Sequence, residues 1–277
     1  MVMIYAALLP MLASAQQRPD RFERREQPVV VPPTVFHSQQ SANLPTAQTI
    51  SKGAWLFEIS HRFFPPVAEG FQALWGLDGP VANRLGLTYA VSDRAMLGVV
   101  RTNIDDNLEL NAKARLLDGG TESIPVMVGV MGGFAWNMSD PGESGASDNE
   151  SQAYAQVMLN ALIGDRLGIG LVPTVLRNPR IQDTEPETTF ALGMHGQAYI
   201  SEQVSLLGEW IISRRRADLE HDSGTLGIEI ETGGHFFKVV LTNQYRMNPT
   251  QVLGGTPYQF KPKYWRLGFN VTRLLTF

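Results

Sequence analysis

The C-terminal stretch from Tyr264 to Phe277 constrains this chain more than any other. Starting at Trp265, every second residue (Leu267, Phe269, Val271, Leu275, Phe277) is apolar, with Arg273 the one break. The alternate set (Arg266, Gly268, Asn270, Thr272, Thr276) is polar or small, with Leu274 the one break. A period of two over that length predicts a strand with one greasy and one wet face. Strands of soluble sandwiches run to about five or six residues, whereas a strand crossing a bilayer needs about nine to eleven. Ending on an aromatic residue, this stretch reads as the closing strand of an outer-membrane β-barrel, with Trp265, Phe269 and Phe277 as its barrel-closing residues. A long soluble hairpin strand is the plain alternative.

The rest of the chain repeats the pattern. From Gly53 onward about twelve alternating segments follow one another, so the predicted fold is all-β: a transmembrane antiparallel up-and-down barrel of about 12 strands. The clearest segment sets Leu108, Leu110, Ala112, Ala114 and Leu116 against Glu109, Asn111, Lys113 and Arg115. Pro173 is awkward inside the seventh, because a paired strand uses its N–H, and a bulge is expected there. The third, residues 95 to 103, alternates poorly and leaves the direction of Arg101 open. Connections alternate in length. Short turns near 92–94, 118–124, 164–165, 201–203 and 232–234 separate longer stretches at 65–82, 139–152, 178–187, 216–224 and 248–263, with the loop around Asp105 the short exception. Outer-membrane barrels sort their connections in this way, short on the periplasmic side and long outside. An even strand count then puts both termini on the periplasmic side. Trp55, Trp136, Trp210, Trp265, Tyr89 and Tyr245 fall toward strand ends, where aromatic girdles form.

Composition agrees and excludes. The chain is 43% hydrophobic with a mean hydropathy of −0.10, and beyond its first residues it has no apolar run near the roughly twenty that a spanning helix needs. A net charge of −4 is no footprint for a nucleic-acid partner. With 0 cysteines, disulfides, thiol chemistry and covalent haem attachment are out. No cofactor and no metal are expected. Residues 1–15 (MVMIYAALLPMLASA) read as a signal peptide closing on Ala13-Ser14-Ala15, without a basic residue ahead of the apolar core. Residues 16–52 are polar and Pro-rich, a periplasmic N-terminal tail or plug; residues 53–277 form the barrel.

The inward faces then carry Glu58, Arg62, Arg84, Glu109, Lys113, Arg115, His195, Glu209, Arg215, Glu229, Glu231, Lys238, Arg246 and Arg266, the candidate lumen-lining residues. Neighbouring first and last strands would place Arg266 near Glu58 and Arg62. Both signs mix, so a salt-bridged, water-filled interior is expected ahead of a charged constriction that selects a solute. No catalytic residues are expected. A lipase-type Ser–His pair needs both side chains on one face, and Ser60 directly precedes His61, so they point oppositely. Glu220-His221-Asp222 reads as a solvated loop tip before it reads as a loose metal site.

Asn43-Leu-Pro-Thr46, Ile59-Ser-His-Arg-Phe63, Gly76-Leu-Asp-Gly79, Arg84-Leu-Gly-Leu-x-Tyr89 and Ser92-Asp-Arg94, with Leu97-Gly98 and Arg101, resemble an uncharacterised "domain of unknown function" family of bacterial β-barrel proteins. The resemblance is sharpest over residues 42 to 103. It implies an outer-membrane barrel and no activity, and it makes His61, Arg62, Asp78, Arg84 and Arg101 the family-motif candidates. Their plain role is to pin the first hairpin, with Arg62 and Arg84 in one lumen and Asp78 folding back onto either. The expected function is a small porin-like channel or a structural barrel of the envelope. Rivals are a barrel that seats a periplasmic or secreted, for instance redox, protein, and a lipid-active enzyme. Expected partners are outer-membrane lipid, the barrel-assembly machinery through the C-terminal strand, and an envelope protein.

Overall fold

The computed structural model describes residues 35–139, 151–181, 186–215 and 219–276. The signal-peptide reading and Phe277 lie outside the described residues. Twelve strands follow one another: β1 (Trp55–Phe63), β2 (Val81–Ser92), β3 (Ala95–Thr102), β4 (Asn107–Thr121), β5 (Ile124–Asn137), β6 (Ser151–Ile163), β7 (Leu167–Arg177), β8 (Thr188–Tyr199), β9 (Val204–Ser213), β10 (Ser223–Glu231), β11 (His235–Thr242) and β12 (Arg266–Leu275). Each pairs antiparallel with its neighbours in sequence, and β1 pairs with β12 from Trp55↔Leu275 to Arg62↔Gly268, which closes the sheet. Closure leaves no edge with unpaired backbone groups, the condition for a sheet to lie in hydrocarbon.

Alternation decides which residues face out. β7 is strictly exposed–buried along its length. Leu159, Ile169, Leu171, Leu206, Ile212, Leu226, Ile228 and Val239 are exposed, and together they form an apolar belt on the outer wall. In water such a belt would be costly; against lipid it is the required surface. Among the described residues no helix is long and apolar enough to cross a membrane.

Short turns at 93–94, 122–123, 164–166, 200–203 and 232–234 gather at one end, the turn end. The longer connections, including 64–80 and 243–265, gather at the other, the loop end. Several local expectations change. The fifth strand begins at Ile124 and the fourth runs on to Thr121, so the predicted turn over 118–124 shrinks to two residues. Pro173 causes no bulge: it stays in register opposite Leu192 of β8, and the β6–β7 register is unchanged on either side of the missing rungs at 172–173. Dropping those pairings accommodates its missing N–H. Register shifts fall instead between Ala90 and Ser92 and between Arg115 and Leu117. Tyr245 lies beyond β11, in the connection at the loop end.

Candidate functional site

The interior is filled. Residues 35–50 enter from the turn end, bend at Ala42–Leu44 deep in the barrel, and return to the turn end, where the Thr49 hydroxyl donates to the Asp93 carbonyl at 2.7 Å. A single bridge, Gln40 to Pro45, closes this hairpin on itself, and Val35, Phe36, Ala42, Leu44 and Ala47 are fully buried. The segment carries no Asp, Glu, Lys or Arg. A neutral backbone can occupy a charged lumen only if its own N–H and C=O groups find partners there.

The wall supplies them. Glu209 accepts from the backbone N–H groups of Ala42, Asn43 and Leu44 at 2.7, 2.8 and 2.9 Å and from the Asn43 amide at 2.9 Å. Lys113 donates to the carbonyls of Gln39 and Thr46 at 3.0 and 3.2 Å. Lys238 donates to the carbonyls of Gln40 and Ser41 at 2.5 and 2.7 Å. Asn160 accepts from the Ala47 N–H at 2.6 Å, Asn270 donates to the Ala42 carbonyl at 2.8 Å, and the Tyr199 hydroxyl donates to the Val35 carbonyl at 3.0 Å. Lys238 also pairs with Glu229 at 3.0 Å, both side chains 1% exposed.

The other half of the wall is greasy. Met127, Met158, Leu162, Val172, Leu176 and Ile211 point inward and pack with Val35, Phe36, Leu44 and Ala47 into one buried cluster. Inward glycines make the seats: a Cβ on Gly193 would lie 2.6 Å from a Leu44 methyl, and one on Gly168 would lie 2.9 Å from the Phe36 ring. His195 packs its ring 4.8 Å from that of Phe36, and both its nitrogens are buried without a hydrogen-bond partner. The expectation of a water-filled interior is therefore corrected, while its salt-bridged part holds in the Arg84–Glu58 and Lys238–Glu229 pairs. The signal was present in β6, where Tyr154, Met158 and Leu162 face in while Val157 and Leu159 face out. Three of the six inward residues of β6 are thus apolar or aromatic, alternating with Gln152, Gln156 and Asn160, which a water-filled lumen does not call for.

A second occupant comes from the loop end. The connection 243–265 dips inward, and Met247, Val252 and Leu253 are buried. The Ser213 hydroxyl donates to the Leu253 carbonyl at 2.8 Å, and the Asn248 amide donates to the Asn107 side chain at 2.6 Å. Arg84 joins the two occupants: it donates to Glu58 at 2.6 Å, to the Gln40 side-chain oxygen at 3.3 Å and to the Asn248 side-chain oxygen at 3.2 Å. Between the plug and the charged wall remains a cavity of about 60 Å³, the liquid share of roughly two waters.

Of the candidate lumen residues, Glu58, Arg62, Arg84, Glu109, Lys113, His195, Glu209, Glu229, Glu231, Lys238 and Arg266 are buried. Arg115 is half-buried at the turn end, donating to the Asp93 carbonyl at 3.2 Å. Arg215 and Arg246 do not line the barrel interior, because their strands stop at Ser213 and Thr242; Arg215 is exposed and Arg246 is half-buried in the long connection. Arg266 is not beside Glu58. It donates to the Phe64 carbonyl at 2.9 Å, past the end of β1, because Arg62 stands opposite Gly268. Arg62 instead reaches Asn270 at 2.8 Å and Asn43 at 3.0 Å.

The family-motif candidates separate. Arg62 and Arg84 share the lumen. His61 faces outward against the Phe269 ring, 4.5 Å between centroids; Arg101 points out and pairs with Asp106 at 2.7 Å; and Asp78 is exposed in its loop and folds back onto neither arginine. Of the loop tip 220–222, His221 exchanges backbone hydrogen bonds with Thr256, and Asp222 accepts from the Ser213 N–H at 3.2 Å. Among the described residues no group of three or more His, Asp or Glu is placed to hold a metal ion.

A family model described as a membrane-bound beta barrel domain (DUF5777) matches residues 36–275, and so takes in the plug as well as the wall. No sequence among the curated proteins matches this chain. Solved structures similar in strand path include the KdgM porin, at 7% identity and a TM-score of 0.47, covering 81% of this chain and 99% of that one. The COG4313 outer membrane channel from Pseudomonas putida F1 matches at 12% identity and 0.48, covering 83% and 98%. Outer membrane phospholipase A from Escherichia coli matches at 12% and 0.40, covering 81% and 90%.

Proposed function

The chain belongs to this family of membrane-bound β-barrel domains, and we propose that it is a porin-like channel of the outer membrane held closed by its own N-terminal segment. The turn end faces the periplasm in this reading, and residues 35–50 are a plug that withdraws toward that side. The observation that carries the proposal is the path of the plug. It enters and leaves at the same end, pairs with no wall strand, and is held by side-chain contacts alone among the named links. Withdrawal therefore breaks no strand pairing among the described residues. The apolar cluster around Phe36 and Leu44 favours a second reading, a permanently packed structural barrel, because expelling those side chains exposes greasy surface.

A cysteine pair distinguishes the two. A Cβ on Gly129 would lie 3.2 Å from that of Ala47, close to the range that a disulfide spans, and 2.8 Å from the end of the flexible Met158 side chain, which must shift. The chain has 0 native cysteines to interfere, and the Gly129→Cys single variant is the control for that shift. Full-length protein carrying Ala47→Cys and Gly129→Cys is refolded and placed in a planar bilayer. A gated channel is silent when oxidised and shows conductance steps after reduction. A barrel that folds, shifts in mobility on heating and never conducts in either state overturns the channel reading in favour of the structural one.

A further inference from the structure

At the loop end, beside the plugged lumen, a recess of about 430 Å³ opens with Phe64, Asp105, Tyr245, Arg246, Tyr258 and Arg266 on its walls. That is within the size range of small-molecule sites. Arg266 is fixed there: it donates to the carbonyls of Phe64 and Tyr264, each at 2.9 Å, and its guanidinium carbon stands 3.8 Å from the Tyr258 ring centroid. Arg246 is placed by its backbone N–H, which donates to the Gln244 side chain at 3.1 Å, while its guanidinium lies 5.8 Å from the Tyr245 ring centroid and its Nε is buried without a hydrogen-bond partner. Neither guanidinium has a carboxylate partner among the described ion pairs. Among the described residues Asp105 is the one carboxylate on the recess wall. Its φ of 57° is a left-handed conformation that Asp and Asn adopt more readily than other residues with side chains.

On the described wall of this partly dry, aromatic-lined recess two guanidiniums face one carboxylate, with Glu69 acting on Arg266 from outside it. Guanidiniums in that setting take carboxylates by paired hydrogen bonds. The flanking Phe64 and Tyr245 rings offer flat apolar surface for a body of matching shape. We infer that the recess binds a small organic carboxylate carried on a ring, with the acid on Arg246 and Arg266 and the ring among the aromatic side chains. The site stands apart from the plug, so its existence does not depend on whether the barrel conducts.

Titration calorimetry on the refolded full-length chain tests this with benzoate, glucuronate, the neutral isostere benzamide and inorganic phosphate. Saturable binding of benzoate or glucuronate, with benzamide weaker by about tenfold or more, is expected, and which of the two acids binds tells an aromatic ring from a sugar ring. Arg246 lies outside every strand, so Arg246→Gln leaves the wall intact and should weaken the acid about tenfold. Asp105→Asn removes the opposing charge and should not weaken it, since Asn tolerates the same backbone. Phosphate binding as tightly as either acid, benzamide equalling benzoate, or Asp105→Asn weakening binding as much as Arg246→Gln would overturn the inference. Each variant is first required to keep its heat-dependent shift on a gel.

Discussion

The carboxylate of Glu209 and the peptide of Asn43, 166 residues apart in sequence, meet in the middle of the barrel through both the Asn43 backbone N–H at 2.8 Å and its side-chain amide at 2.9 Å. Two further backbone N–H groups, of Ala42 and Leu44, converge on the same carboxylate. Hydrogen bonds to a charged acceptor contribute about 1.5–3 kcal/mol each. Glu209→Ala should therefore destabilise the seated plug by roughly 3 kcal/mol or more, a shift of about a hundredfold or more toward the withdrawn form. Single-channel recording is the check. Glu209→Ala should open far more often than the parent, and an unchanged open fraction at unchanged folding would mean that the plug does not depend on this contact.

The wall glycines make a steric prediction. Gly193→Val and Gly168→Val place carbon where Leu44 and Phe36 now sit, at 2.6 and 2.9 Å, so the plug must move away from β7 and β8. Gly196→Ala is the control, because its Cβ would meet nothing nearer than 3.7 Å. Protease digestion of the folded barrel should clip the N-terminal segment in the two valine variants and spare it in Gly196→Ala. Equal protection in all three would show that the seat yields without displacing its occupant.

The ion pair of Lys238 with Glu229 is buried on both sides, whereas that of Arg94 with Asp118 is 56% and 40% exposed. Removing one member of a buried pair costs about 3–5 kcal/mol; an exposed pair contributes about 0–1 kcal/mol. Lys238→Met should lower the urea midpoint far more than Arg94→Met. Lys238→Met with Glu229→Gln should recover part of the loss, because no charge is then left buried alone.

Leu171 sits near the middle of β7 on the outward face. If that face meets hydrocarbon, Leu171→Arg costs about 2–4 kcal/mol. The same change at Leu117, exposed near the turn end, should cost about 1 kcal/mol or less, as residues near the interface do. Refolding yields into vesicles at a series of urea concentrations would compare them, and equal costs would count against a membrane at this depth.

Much of the wall was legible beforehand because a strand's period of two is written into sequence directly. The order of the strands, their closure through the C-terminal stretch, the sorting of short and long connections, and the inward direction of Glu58, Arg62, Glu109 and Lys238 all follow from that period. The contents of the lumen were harder to read. A polar inward face looks alike whether water or a neutral peptide sits against it. Two traces were nonetheless visible: residues 35–50 lack charge, in contrast to the charged run at 18–26, and three of the six inward residues of β6 are apolar or aromatic.

Sequence by itself determined that this chain forms a closed, outwardly greasy barrel, since alternation and loop length are local properties and hydrocarbon admits no open sheet. Tertiary structure alone decided what each inward charge is for. Partners such as Glu209 and Asn43 are distant in sequence and joined only by the fold, so no pattern along the chain names them. Register decided the rest: with Arg62 opposite Gly268, Arg266 falls past the end of β1 and into the outer recess, while Arg84 reaches Glu58, the plug and the long connection together. A shift of two residues in that pairing would leave the same face inward and move every one of those contacts.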